Sequence, residues 1–164
     1  MLQLTLEQFL TGWIVIMDRV IVNERRFNLR HFQQCRSRPF FCVSENSIID
    51  CGAAACGAGW LAVSDFWKGL GGKVGNIGQP FYKGNHPVLS AVHMGATGPL
   101  SDGHDMADKF RAIIYGDHCV YGTNGNKDEV TAEMFRDALI RYRNTGSPYL
   151  NSYLPVNTWR SFHE

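Results

Sequence analysis

Charge is scarce in this chain and nearly cancels. Among 164 residues, Lys, Arg, Asp and Glu make up 19%, with 16 basic against 15 acidic side chains and a net charge of +1. That balance excludes recognition driven by a global field, as in proteins that coat nucleic acid or anionic membranes. Long apolar runs flanked as a membrane span needs are also missing. Gly12 to Met17 is closed by Asp18 and Arg19, well short of the roughly 20 residues that cross a bilayer. No Lys or Arg precedes this run, Glu7 does, and no small-residue cleavage site follows. A secretory signal is therefore not expected, and a cytoplasmic protein is. Neither a GxGxxG fingerprint nor Walker lysine spacing occurs, which removes the usual phosphate-cradling loops. Cysteine is limited to five, an odd number that favours thiols or metal ligands over a disulfide framework. Repeats and low-complexity tracts are absent.

What is present is enough apolar material for a core. Hydrophobic residues reach 45%, too many for a disordered tail and suited to one domain over residues 1–164. Thr5 is placed to cap a helix running to about Val22, with Leu6, Phe9, Leu10, Trp13, Met17, Val20 and Ile21 on one stripe. A short amphipathic piece follows from Phe27 to Phe32, then a loop holding Cys35, Pro39 and Cys42. Residues 52–70 read as a helix ended by Gly71-Gly72. Within it Gly57 and Gly59 each cost roughly 1 kcal/mol relative to Ala, a cost that makes sense where another part of the chain must come close. Residues 71–103 form a Gly/Pro/Asn-rich excursion, with strands expected over 79–83 and 88–93 around Gly84-Asn85. Helices are expected from His104 to Tyr115, capped by Ser101 or Asp102, and from Asp128 or Thr131 to Asn144, stopped by Gly146 and Pro148. Gly116 to Lys127 reads as a loop, and the aromatic tail from Tyr149 as a strap over the surface. The fold class is mainly α: a four-helix-like single domain with an irregular or β-hairpin excursion.

The most distinctive stretch is Cys51-Gly52-Ala53-Ala54-Ala55-Cys56-Gly57-Ala58-Gly59-Trp60. Residues this small cannot cover one another and must lie against another part of the chain. With Phe27-Asn28-Leu29 before it and Val130-Thr131-Ala132 opening the last helix, the chain resembles a loose family of small bacterial and phage proteins of unknown function. That family's hallmark is Cys-Gly-Thr, two residues, Cys, two residues, then Gly with His or Trp. Ala53 stands where the family carries Thr, and Leu61 where it often carries Ala. The resemblance spans about two-thirds of the chain, leaving out 71–103 and the tail. It implies a helical domain of phage origin and supplies no catalytic residues.

Four chemistries compete. His31, Cys35, Cys51 and Cys56, with Cys42 between them, offer soft ligands for zinc, but only the outer gaps match the spacing of structural zinc sites. Buried thiols explain them more simply. Cys51 could be a nucleophile if it began a helix, with a base from His31, His93, His104 or His118. Asp117-His118-Cys119 is a second cluster, set aside because neighbours in sequence do not make a triad. Asp102 and Asp105 are a carboxylate pair better read as helix capping. Arg25, Arg26, Arg30, Arg36 and Arg38 interleave with Phe27, Phe32, Phe40 and Phe41, a pattern that can hold phosphates and stack bases. Against these stands a non-enzymatic phage-type protein that binds, and inhibits, a host protein or protein complex. Its contacts are expected in the excursion, at Phe81, Tyr82, Lys83, Asn85 and His86, and in the tail. The nucleic-acid binder and the cysteine enzyme remain the alternatives, and no cofactor is expected beyond the zinc alternative.

Overall fold

The computed structural model describes residues 4–34, 42–51, 53–82 and 103–150. The chain is mainly helical, as its sequence predicts. The first helix, α1 (Leu6–Val22), starts at Thr5 in a reciprocal capping box: Thr5 Oγ1 accepts from Gln8 N (3.2 Å) and Gln8 Oε1 from Thr5 N (3.0 Å). It stops in a Schellman motif, with Arg25 N donating to Val20 O and Glu24 N to Ile21 O. Glu24 takes the left-handed turn at φ 51°, where glycine would be easier.

Alongside α1 lies the last helix, α7 (Ala132–Thr145), tied to it by Arg136 Nη1 on Asp18 Oδ1 at 3.3 Å. Of the two starts that the sequence offers, the structure selects Thr131, whose Oγ1 accepts from Met134 N; residues Lys127–Glu129 form a separate 3-10 turn. Two more helices close the aromatic centre: α4 (Asp65–Gly69) and α5 (Gly103–Tyr115). Trp13 stacks on Phe110 at 6.1 Å between centroids, Phe9 meets Trp67 edge-on and Phe110 meets Tyr142 edge-on. Such pairs contribute roughly 0.5–1.5 kcal/mol each beyond their buried area, so this cluster fixes how α1, α4, α5 and α7 cross.

The expected continuous helix over 52–70 is corrected. A short helix, α2 (Glu45–Cys51), precedes the small-residue run, and Ala53 to Cys56 is extended. Its backbone is claimed on both sides by the 26–34 loop. Ala55 N donates to Arg26 O, Asn28 N to Ala55 O, Gln34 N to Ala54 O and Cys56 N to His31 O, the last two at 2.7 and 2.9 Å. These bonds across the chain compete with helical ones, so the helix α3 starts only at Gly57 and runs Gly57–Val63. Every residue of α3 is buried, which makes it the central rod of the core. Ser64 then breaks the chain direction, accepting from Trp67 N as the cap of α4. The loop itself is pinned at Asn28, whose Oδ1 accepts from Arg30 N, so Phe27 to Phe32 is an Asx-type turn region rather than a regular element.

The turn at Gly84-Asn85 of the expected hairpin lies outside the described residues, and the strand expected over 79–83 is present as a short element with a different, earlier partner. Residues β1 (Lys73–Val74) and β2 (Pro80–Phe81) pair antiparallel, Lys73 opposite Phe81 and Val74 opposite Pro80. Gln79 Oε1 accepts from Ile77 N inside the turn at 2.8 Å. The expected strand over 88–93, the Ser101 and Asp102 caps and the tail beyond residue 150 lie outside the described residues. None of the described helices is long and apolar enough to cross a membrane.

Candidate functional site

Polar chemistry converges where α5 ends. Gly116 takes φ +82°, and a Cβ there would press on Leu29 Cδ2 at 2.6 Å. The left-handed φ favours glycine, and the result is a sharp turn closed by Asp117 N on Ala112 O at 3.0 Å. Asp117 then caps a one-turn helix, α6 (His118–Tyr121), its Oδ1 accepting from Cys119 N at 2.7 Å. Three bonds hold this turn rigid. Tyr121 Oη donates to Ile113 O (2.6 Å), Arg141 Nη2 to Val120 O (2.8 Å), and Leu150 N to Cys119 O (2.9 Å). The segment after α7 is thereby fastened to α6, with Arg141 Nε also on Pro148 O.

Between α5, α6 and the 3-10 turn opens a groove of about 630 Å3. Asp108, Arg111, Tyr115, His118, Lys127 and Tyr149 line it. Arg111 pairs with Asp108 at 3.2 Å, and both are more than half exposed. Tyr115, 40% exposed, is braced edge-on by Phe32. At the start of α6 three residues come together, of which Asp117 and His118 line the groove. Cys119 Sγ lies 3.5 Å from His118 Nε2, and Asp117 Oδ1 lies 3.7 Å from His118 Nδ1. Burial first, then the Asp117 carboxylate, push the Cys119 thiol above its ordinary range. The cluster is visible in the sequence. What the sequence does not convey is that Gly116 and Asp117 act as a stop and a cap, which folds three neighbours onto one side.

The other sequence-predicted residues are distributed differently. Cys56 is 2% exposed, and burial pushes its thiol up to about 11. His31 is exposed, and what joins it to Cys56 is a backbone hydrogen bond. Cys35 and the side chain of Cys51 lie outside the described residues, as do Arg36, Arg38, Phe40, Phe41, Lys83, Asn85 and His86. Arg30 makes a two-pronged contact with Asp128, Nε to Oδ1 at 2.6 Å and Nη2 to Oδ2 at 3.2 Å, and each holds the other in its charged form. Phe27 and Phe32 pack against the core. Arg26 is exposed, and Arg25 lines a second groove of about 430 Å3 with Phe27 and Glu133. The Nε of Arg25 is buried there without a hydrogen-bond partner. Phe81 is half-buried on β2 and Tyr82 is buried.

Comparison with protein-family models, with curated proteins and with solved structures finds no match to this chain.

Proposed function

We propose that this protein is a non-enzymatic binding domain, of the phage type suggested by its cysteine motif, that engages and inhibits a host protein complex. The groove between α5 and α6 is its contact surface. One observation carries this reading: Arg111, Tyr115, His118, Lys127 and Tyr149 all line one open groove. Tyr and Arg are the residue types that anchor protein interfaces, because they present large area with few rotamers and a polar tip. The alternatives lose their best described groups to the fold. Phe27 packs on Phe135 and Phe32 on Tyr115, which occupies rings that a base-stacking platform would use. Cys56 is buried as a protonated thiol, and the thiolate is the nucleophilic form.

Affinity capture with the full chain tests the proposal, with and without nuclease, beside the double variant Arg111→Glu/Lys127→Glu. The expected result is a stoichiometric protein partner that survives nuclease and is lost from the variant. A partner retained equally by the variant would refute the groove as the contact surface. Retention only of nucleic acid would move the function to the arginine segment.

A further inference from the structure

We propose that Asp117, His118 and Cys119 form a binding site for a borderline-soft divalent ion of the zinc class, set on the wall of the α5–α6 groove. The site is distinct from the spaced set of His31, Cys35, Cys51 and Cys56 that the sequence suggests. One ligand atom from each of Asp117, His118 and Cys119 lies within 4.8 Å of the other two. A tetrahedral ion with bonds of roughly 2.0–2.3 Å holds its ligand atoms roughly 3.3–3.7 Å apart. The Sγ to Nε2 distance of 3.5 Å already has that value; Asp117 Oδ1 lies 3.7 Å from the other ring nitrogen, Nδ1, so the carboxylate must swing toward the Nε2 edge. It can do so without leaving its helix cap. A carboxylate offers two oxygens and about four lone-pair sites, of which Cys119 N uses one on Oδ1.

The donor set fits the ion by its chemistry. A thiolate, an imidazole and a carboxylate are the ligand types zinc takes, and sulfur disfavours magnesium or calcium. Binding displaces the thiol proton, and the divalent cation then offsets the charge of the thiolate beside the carboxylate. The scaffold is pre-set by the Gly116 turn and by the Tyr121, Arg141 and Leu150 bonds around α6, so binding orders little more than three side chains. Asp117 and His118 both line the groove. Three protein ligands leave a fourth position for a water or a group entering that groove. The site stands whether or not the groove binds a protein partner.

The test is a cobalt titration of the reduced, metal-free full chain, read by the thiolate-to-cobalt absorption band. Cys35 and Cys51 could also supply thiolates, so Cys35→Ser/Cys51→Ser serves as the background in which the site is isolated. In it one cobalt per chain with a thiolate band is expected, and zinc should displace it. Adding Cys119→Ser should abolish the band. Adding His118→Ala or Asp117→Asn should raise Kd at least about tenfold, since loss of a ligand costs no less than loss of a supporting contact. Asp117→Asn keeps a capping oxygen, and circular dichroism checks that each variant is folded. The proposal is overturned if the background chain gives no thiolate band in a large excess of cobalt. It is equally overturned if the band survives Cys119→Ser unchanged.

Discussion

Replacing Gly59 with alanine should destabilise the protein although alanine is the better helix former. A Cβ at Gly59 would overlap the carbonyl oxygen of Phe32, lie 2.8 Å from its carbonyl carbon and meet Ala55 Cβ at 3.0 Å. The obstacle is backbone, and it is held in place by the bonds of His31, Gln34 and Asn28 to the small-residue run. Overpacking a well-filled core costs about 1–3 kcal/mol. Displacing the loop enough to lose two of its backbone bonds adds about 1–3 kcal/mol. Helix propensity returns about 1 kcal/mol. The net loss is about 1–5 kcal/mol. With a urea m-value of roughly 2 kcal/mol/M, the midpoint should fall by about 0.5–2.5 M. Tryptophan fluorescence reads it, since Trp60 sits on α3 itself and Trp13 donates to Gly57 O. Gly69→Ala is the control: a Cβ there meets nothing within 4 Å, so the same exchange should raise stability by up to about 1 kcal/mol. A midpoint for Gly59→Ala equal to or above that of the parent would refute the close approach of α3 and the loop.

Three further outcomes follow from named contacts. Gln33 exchanges two bonds with the backbone of Cys42, Nε2 to O at 2.7 Å and Oε1 from N at 2.8 Å. Gln33→Leu removes both bonds from buried backbone groups and should cost about 2–4 kcal/mol in urea unfolding; a neutral effect would mean that this clasp does not tie Gln33 to Cys42 in the folded chain. Cys56 has its folded value raised to about 11 from an ordinary 9.0. The folded chain therefore holds a proton that the unfolded chain releases. The stabilisation is complete below about pH 9 and is lost as pH rises through about 11, by roughly 2–3 kcal/mol. Unfolding curves across that range should show the decline, and Cys56→Ala should flatten it. An equally steep decline in Cys56→Ala would assign it to other groups, among them the buried Tyr121, which is also raised. Glu24→Gly should raise thermal stability by about 0.5–1 kcal/mol, because Glu24 holds the left-handed position that ends α1; a lowered Tm would show that the Glu24 side chain makes a needed contact.

The parts legible in the sequence are those governed by local rules. Thr5 and Thr131 cap where a side-chain oxygen can reach the third amide, and the stripes of α1 and α7 follow the helical period. The small-residue run announces only that something must cover it. What covers it is the 26–34 loop, and its bonds to Ala54, Ala55 and Cys56 join positions twenty or more residues apart. No local propensity encodes those bonds, which is why an Ala-rich stretch that favours helix is extended instead. The break at Ser64 could have been found, since serine three residues before Trp67 is a cap signal inside an expected helix. At the groove, Gly116 and Asp117 were legible as a loop but not as the stop and cap that gather Asp117, His118 and Cys119. Arg30 and Phe32 read as nucleic-acid contacts because sequence cannot show Asp128 and Tyr115 waiting opposite them.

Site-specific photo-crosslinking in cells tests the binding role most directly. A photoreactive residue at position 149, on the groove, is compared with one at position 22, where Val22 is 78% exposed and outside the groove lining. Crosslinks to one protein of defined mass from position 149 and none from position 22 are the expected result. Equal crosslinking from both positions, or from position 22 alone, would contradict the assignment of the α5–α6 groove as the contact surface.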